Sequence, residues 1–240
     1  MAKAQKQKAA ATRRSTRPVG RAGKRPRKPP PPPRKPARVR KVAPEVRRHA
    51  ILGAALSVFA ERGFAAARLD DVAARAGVAK GTLYLYFRSK EALFEALIRH
   101  AVSPVLAQVG KIAAEPDVPP VKALQAFFNL FQTEILGSDR KLLLRLIIAE
   151  GARFPALAEI YYREVVSRGL SLMRSLAQRA ARDGSFATAA PARYPQLIVA
   201  PLLVAVVWDA LFAKVDPLDV GGFLRAHLEA LTGKGRRGSS

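Results

Sequence analysis

The chain has 240 residues, 49% of them hydrophobic, with 42 Lys and Arg against 18 Asp and Glu, a formal net charge of +24 and an isoelectric point near 11.3. That size and hydrophobicity suit one or two domains with a sizeable core, and the charge selects a polyanionic partner, either nucleic acid or an anionic membrane surface. The absence of cysteine excludes disulfides, thiolate metal sites and cysteine nucleophiles, and the basic N-terminus is not followed by the apolar run of a secretory signal.

Residues 1–43 form a regime of their own. They hold sixteen Lys and Arg, no acid, and an unbroken proline run from Pro29 to Pro33. Such a segment repels itself, buries no apolar surface and is stiff only at its prolines, so it is expected to be disordered in the free protein. It is either a solubilising appendage or a sequence-blind phosphate-binding arm. The rest of the chain keeps 26 basic and 18 acidic residues, a net charge of +8.

Order is expected from Pro44, because a proline in the first helical turn sacrifices no hydrogen bond. Ile51, Leu52, Ala55, Leu56 and Phe59 make an apolar stripe on a helix that ends at Arg62-Gly63 with a C-terminal cation and a glycine cap. Leu69, Val72, Ala73 and Ala76 fall at spacings of three and four, which is one helical face. Gly77 provides a turn, and a second short helix begins near Ala79 with Leu83 and Phe87 on its inner side. Lys80, Thr82, Tyr84 and Tyr86 are left on the free face. Helix, glycine turn and a second helix with a polar and aromatic free face is the helix-turn-helix plan for reading a DNA major groove. Ser89 then caps a fourth helix with Leu93, Phe94, Leu97 and Ile98 inward, which either continues past Pro104 with a kink or restarts there.

Beyond Pro119 the pattern is helical, with no convincing strand. Helices are expected near 119–136, 139–150, 155–183, 193–213 and 217–231, separated by Gly137-Ser138, the Gly151–Pro155 bend, Asp183-Gly184 and Asp216-Pro217. The fold class is therefore all-α: a three-helix helix-turn-helix domain over 44–103, a helical bundle over 104–232 (about nine helices in all), and a frayed polar tail over 233–240. Leu197 to Phe212 is the most apolar run, but its 16 residues hold Pro201 and Asp209, and a bilayer span needs about 20. It reads as packing surface, and with the last helix (Phe223, Leu224, Leu228, Leu231) as a candidate subunit interface.

The stretch from Ala50 to Leu97 resembles the N-terminal domain of TetR/AcrR-type transcriptional regulators. Four pieces carry the resemblance in order: F-x-E-R-G-F, D-D-V-A-x-x-A-G-V, K-G-T-L-Y-x-Y-F and S-K-E-x-L-F. The segment EGARFP, Glu150 to Pro155, is similar to one subgroup of them. The resemblance implies a bacterial, cytoplasmic, nucleoid-associated homodimer that places its third helix in successive major grooves of a palindromic double-stranded operator. It also implies a second domain that dimerises and holds a small-molecule effector, whose binding releases DNA, with repression the usual result. Two positions depart from the family pattern, because Arg68 and Ala79 stand where Thr or Ser commonly cap the second and third helices; each lost cap costs about 1 kcal/mol. Arg68 can replace a hydroxyl contact to phosphate with a charged one.

On the expected interface, Lys80 meets phosphate at the start of the reading helix, Gly81 lets the backbone approach, and Thr82 and Tyr84 read bases. Tyr86 and Lys90 hold the DNA backbone, and Arg47, Arg48 and Arg68 add phosphate contacts. For the effector the candidates are Phe127, Phe131, Arg145, Glu150, Phe154, Tyr161, Tyr162 and Trp208, large or polar side chains in apolar surroundings that suit an apolar or aromatic ligand. Each aromatic is equally an ordinary core residue, and Glu150 can instead pair with Arg153 or Arg145.

No cofactor or metal is expected, since His49, His100 and His227 are far apart in sequence and no G-x-S-x-G, P-loop or H-E-x-x-H occurs. An enzyme is disfavoured on the same ground. The rival is an architectural DNA-binding protein that uses the basic tail without sequence preference.

Overall fold

The structure is a computed structural model that describes residues 43–233; the tail expected over 1–43 lies, but for Ala43, outside the described residues, as does 234–240. The described residues contain helices and no strand. They are α1 (Pro44–Ala66), α2 (Leu69–Arg75), α3 (Lys80–Tyr86), α4 (Lys90–Ala114), α5 (Pro120–Phe131), α6 (Lys141–Glu150), α7 (Pro155–Tyr161), α8 (Ser167–Arg182), α9 (Ala190–Arg193), α10 (Gln196–Leu211) and α11 (Val220–Thr232). A π-helical turn, Gln132–Leu136, extends α5, and another, Tyr162–Val166, joins α7 to α8 into one long rod. The single turn α9 adds to the nine expected helices: its four residues, APAR, are too few to show a period. The helix expected over 193–213 correspondingly starts later, at Gln196, after Pro195.

The local rules act where expected. Pro44 opens α1, and Arg47 N–H donates to the carbonyl of Ala43 at 3.1 Å. α1 breaks at Gly63, whose φ of 72° and ψ of 168° suit a residue without Cβ. Ser89 caps α4 by accepting from Ala92 N–H at 3.1 Å. Asp219 does the same for α11, accepting from Gly222 N–H at 3.0 Å. Of the two possibilities at Pro104, continuation holds, because α4 runs through to Ala114. A mid-helix proline costs about 3 kcal/mol. Here Ala101, Val102, Val105 and Val109 are buried on both sides of it, and that packing outweighs the lost bond.

Three apolar clusters hold the described residues together. The first contains Ile51, Leu52, Phe59 and Phe64 of α1, Val72, Ala73 and Leu83 of the helix-turn-helix, and Leu93, Phe94, Leu97 and Ile98 of α4. Leu143 and Leu146 of α6 and Leu157 and Ile160 of α7 belong to it too. The second joins α5, α8, α10 and α11 through Leu124, Phe128, Met173, Leu176, Ile198 and Leu224. A small third cluster, Val105, Ile135, Leu144 and Val206, lies between, with Phe131 and Tyr161 packed against it.

Two polar devices lock the long rods. Arg179 of α8 donates to four carbonyls at the end of α4 and in the α4–α5 connection: Ala113 at 2.9 Å, Glu115 at 2.9 Å, Pro116 at 3.2 Å and Val118 at 3.0 Å. Glu164, on the π turn, is the buried acid among the described residues (4% exposed). Its carboxylate accepts from Arg99 at 3.0 Å and Arg163 at 3.1 Å, with Arg168 at 3.5 Å. The hydrogen bond from Arg99, then that from Arg163, hold its pKa down at about 2.

Candidate nucleic-acid interface

The helix-turn-helix is built from short, weakly capped pieces. α2 starts at Leu69 after Arg68, and α3 starts at Lys80 after Ala79; neither flanking residue makes a side-chain capping bond. Gly77 turns the chain with φ of 65°, and Val78 N–H donates to the Ala73 carbonyl at 3.0 Å. Leu83 is fully buried and Phe87 nearly so, which pins the inner side of α3 and fixes which side chains face outward. The acidic first turn of α2 is neutralised within the head: Asp70 pairs with Lys80 at 2.8 Å and Asp71 with Arg62 at 2.6 Å. Arg75 takes both oxygens of Glu61, at 2.6 and 2.7 Å.

The expected contact residues fall into two groups. Lys80, Gly81 and Tyr84 are exposed on α3, with Thr82 half-buried beside them. The Lys80 ammonium lies 6.0 Å from the Tyr84 ring centre, and its hydrogen bond to Asp70 raises its pKa. Arg68 is exposed at the start of α2, while Arg47 and Arg48 are half-buried on α1, Arg48 lying 5.9 Å from the Phe87 ring centre. Tyr86 and Lys90 are engaged within the subunit. Tyr86 donates its hydroxyl to the Pro44 carbonyl at 3.4 Å. Lys90 donates to the carbonyls of Phe64 and Ala65 at 2.8 and 3.0 Å and covers the Phe64 ring at 4.8 Å.

Leu85 was not among the expected contacts. At 86% exposed it is the most open large apolar side chain of the head. The signal was present: with Leu83 and Phe87 inward, the residue midway between them on a helix must face out.

The effector candidates are spread over the apolar clusters and the surface. Phe154 stacks edge-on against Phe64 at 5.4 Å, in the first cluster. Phe127 and Phe131 pack on the second cluster, Phe131 also on the third beside Tyr161. Burial raises the pKa of the Tyr161 hydroxyl. Tyr162 is 59% exposed. Trp208 donates to the Asp216 carbonyl at 2.6 Å. Arg145 pairs with Asp209 at 2.7 Å, and its Nε is buried without a hydrogen-bond partner. The Glu150 carboxylate accepts from Phe64 N–H at 2.9 Å and Ala65 N–H at 3.2 Å. A surface hollow of about 590 Å³ between α4 and α8 is lined instead by residues such as Ser103, Leu106, Ser167, Arg168 and Leu172. His49 and His100, distant in sequence, meet with ring centres 4.6 Å apart, but among the described residues no three metal-capable side chains cluster.

Two family models match this chain, one on each part. Residues 51–97 match the model of bacterial regulatory proteins of the tetR family, and residues 122–219 match that of the AefR-like transcriptional repressor C-terminal domain. The chain belongs to the TetR family. Among its relatives, the HTH-type transcriptional regulator RutR of Escherichia coli (strain K12) is 39% identical over 88 residues, which is 37% of this chain and 41% of RutR. The likeness to RutR thus spans well under half of that relative's length. Solved TetR-like structures match over more of the chain at lower identity. FadR from Bacillus subtilis, in complex with stearoyl-CoA, is 21% identical with a TM-score of 0.64, over 77% of this chain and 97% of FadR. SmeT, in complex with triclosan, is 23% identical with a TM-score of 0.65, over 78% and 92%. At those identities the structures speak for the shared fold alone.

Proposed function

We propose that this TetR-family protein is a ligand-responsive repressor that binds a palindromic operator as a homodimer and is released by a small molecule. The observation that carries the reading is the outer face of α3, where Lys80, Thr82, Tyr84 and Leu85 stand beyond the buried Leu83. Thr82, Tyr84 and Leu85 offer hydroxyl and apolar groups to base edges, while Lys80, Gly81 and Arg68 serve the phosphates. Arg48, beside Phe87 at the end of α3, adds a phosphate contact with Arg47, and Tyr86 and Lys90, each bonded to α1, hold the DNA backbone. The division at 103/104 separates reading from sensing, with α4 as the rod common to both.

The second copy docks on α10. Leu197, Leu203, Val204 and Leu211 are exposed there by 41%, 51%, 46% and 65%, a row that water disfavours and a twofold partner would cover. The effector is held in the second domain by candidates such as Phe127, Phe131, Arg145 and Tyr161, among which the buried Nε of Arg145 lacks a hydrogen-bond partner. An acyl-CoA or a chlorinated phenol, as held by the two structural neighbours, is the class to screen first. Such a protein works in the cytoplasm at the nucleoid, and among the described residues no helix is long and apolar enough to cross a membrane.

Selection of bound sites from random DNA tests the reading. A repressor of this kind prefers its site to random DNA by about 10³ or more at physiological salt, whereas an architectural protein shows no such ratio. Deleting residues 1–43 is expected to weaken non-specific binding and flatten the salt slope while the selected site stays the same. Loss of the site preference on that deletion overturns the assignment of reading to α3.

A further inference from the structure

The break in α1 at Gly63 puts Phe64 and Ala65 in a last, separate turn whose peptide groups two side chains from elsewhere take up. Both N–H groups donate to the Glu150 carboxylate, at 2.9 Å to Oε1 and 3.2 Å to Oε2. Both carbonyls accept from the Lys90 ammonium, at 2.8 and 3.0 Å. The Phe64 side chain is wedged between Phe94 of α4 and Phe154 before α7, with ring centres 6.0 and 5.4 Å away. A Cβ on Gly63 would collide with Glu150 Oε1, so the glycine admits the carboxylate as well as the backbone turn.

Glu150 is poorly placed for its own helix. It is the last residue of α6, where unpaired carbonyls make a negative charge unfavourable. What repays the position lies across the gap, in the two N–H groups of the α1 break. Its own carbonyl accepts from Arg153 N–H at 2.9 Å and Phe154 N–H at 3.0 Å, shaping the turn into α7. One residue therefore ties the α6–α7 turn to the segment that feeds α2, the helix packed beneath the reading helix, from a few residues before α2 begins.

We propose that Glu150 is a positioning residue. It holds the reading head in one orientation relative to the rest of the subunit, and so sets the half-site spacing at which two heads engage DNA. This rests on the two-headed operator reading given above. A shift of the α6–α7 turn would move the head through the carboxylate, and loss of the carboxylate loosens the head at the α1 break, while the shared core keeps it folded and the α3 face unaltered.

The test uses the full chain, Glu150→Gln and Glu150→Asp. Gln keeps the size but turns an N–H₂ donor toward a backbone donor; Asp keeps the charge but falls one methylene short. Each protein is presented with selected half-sites separated by spacers of every length over one helical turn. The wild type is expected to prefer one spacer. In both variants the half-site bases should stay the same while the preference for that spacer over its neighbours falls by about fivefold or more, the size of a coupling between sites. Unchanged spacer profiles in either folded variant overturn the proposal, and so does failure of both to bind even a single half-site, which would make Glu150 a structural support only. A wild type that selects no paired half-sites refutes the operator reading instead.

Discussion

Replacing Arg179 by alanine removes a staple whose worth can be worked from its four bonds. The guanidinium holds the carbonyls of Ala113, Glu115, Pro116 and Val118 at 2.9 to 3.2 Å. Those of Glu115 and Pro116 lie in exposed bonds and return to water at little loss. The bonds to Ala113 and Val118 are partly buried, and hydrogen bonds to a charged donor are worth about 1.5–3 kcal/mol each. With partial rehydration the net loss is about 2–4 kcal/mol, which lowers the melting temperature of a domain this size by about 5–15 °C. Urea unfolding of the full chain measures it directly. Arg179→Lys keeps the charge but cannot span four acceptors, so it should recover less than half. A loss under about 1 kcal/mol refutes the reasoning, since exposed substitutions routinely stay near that size. Site preference on DNA should be the same in both variants, because the staple is remote from α3.

Three further outcomes are expected. If Leu85 meets a thymine methyl, replacing that thymine by deoxyuracil in the selected site weakens wild-type binding about fourfold, the worth of one buried methyl, and leaves Leu85→Ala unaffected; equal losses in both proteins exclude the contact. Arg68→Ala should weaken binding to all sequences alike and reduce the slope of log K against log salt by about 1; unaltered affinity and slope would show that Arg68 touches no phosphate. Glu164 has a folded-state pKa near 2, below the 4.5 of a free carboxyl. A depressed acid stabilises the fold fully above pH 4.5 and loses that contribution as pH falls toward 2. Acid unfolding of Glu164→Gln followed by circular dichroism should therefore be flatter over that window than in the wild type, and a parallel pair of curves counts against the Arg99–Glu164–Arg163 network.

The helix-turn-helix was legible because its rules are local. Gly63 and Gly77 stand where positive φ is needed, Ser89 caps α4, and Leu83 and Phe87 lie four apart. The bonds of Glu150 were not legible, because its partners are 86 and 85 residues away and no period in the sequence points at them. Lys90 shows the same limit: the sequence marks it only as a cation after the reading helix, and the folded chain brings it to the Phe64 and Ala65 carbonyls. At Pro104 the local rule competes with tertiary packing, so the sequence left continuation and restart equal. The effector candidates share apolar surroundings in sequence, a property that does not determine which of them share a wall.

The composition of the first cluster bears on how regulators of this kind can be recombined. Leu143, Leu146, Leu157 and Ile160 come from α6 and α7, yet they floor the same core as Phe59, Leu83 and Phe94. A hybrid protein spliced at residue 103, carrying this head on a foreign sensor, would therefore leave behind part of the head's own floor and the carboxylate that grips α1. Grafting the 141–160 hairpin together with 44–103, as a discontinuous cassette, preserves both. The transplantable unit of this regulator is thus a three-dimensional block rather than a stretch of sequence.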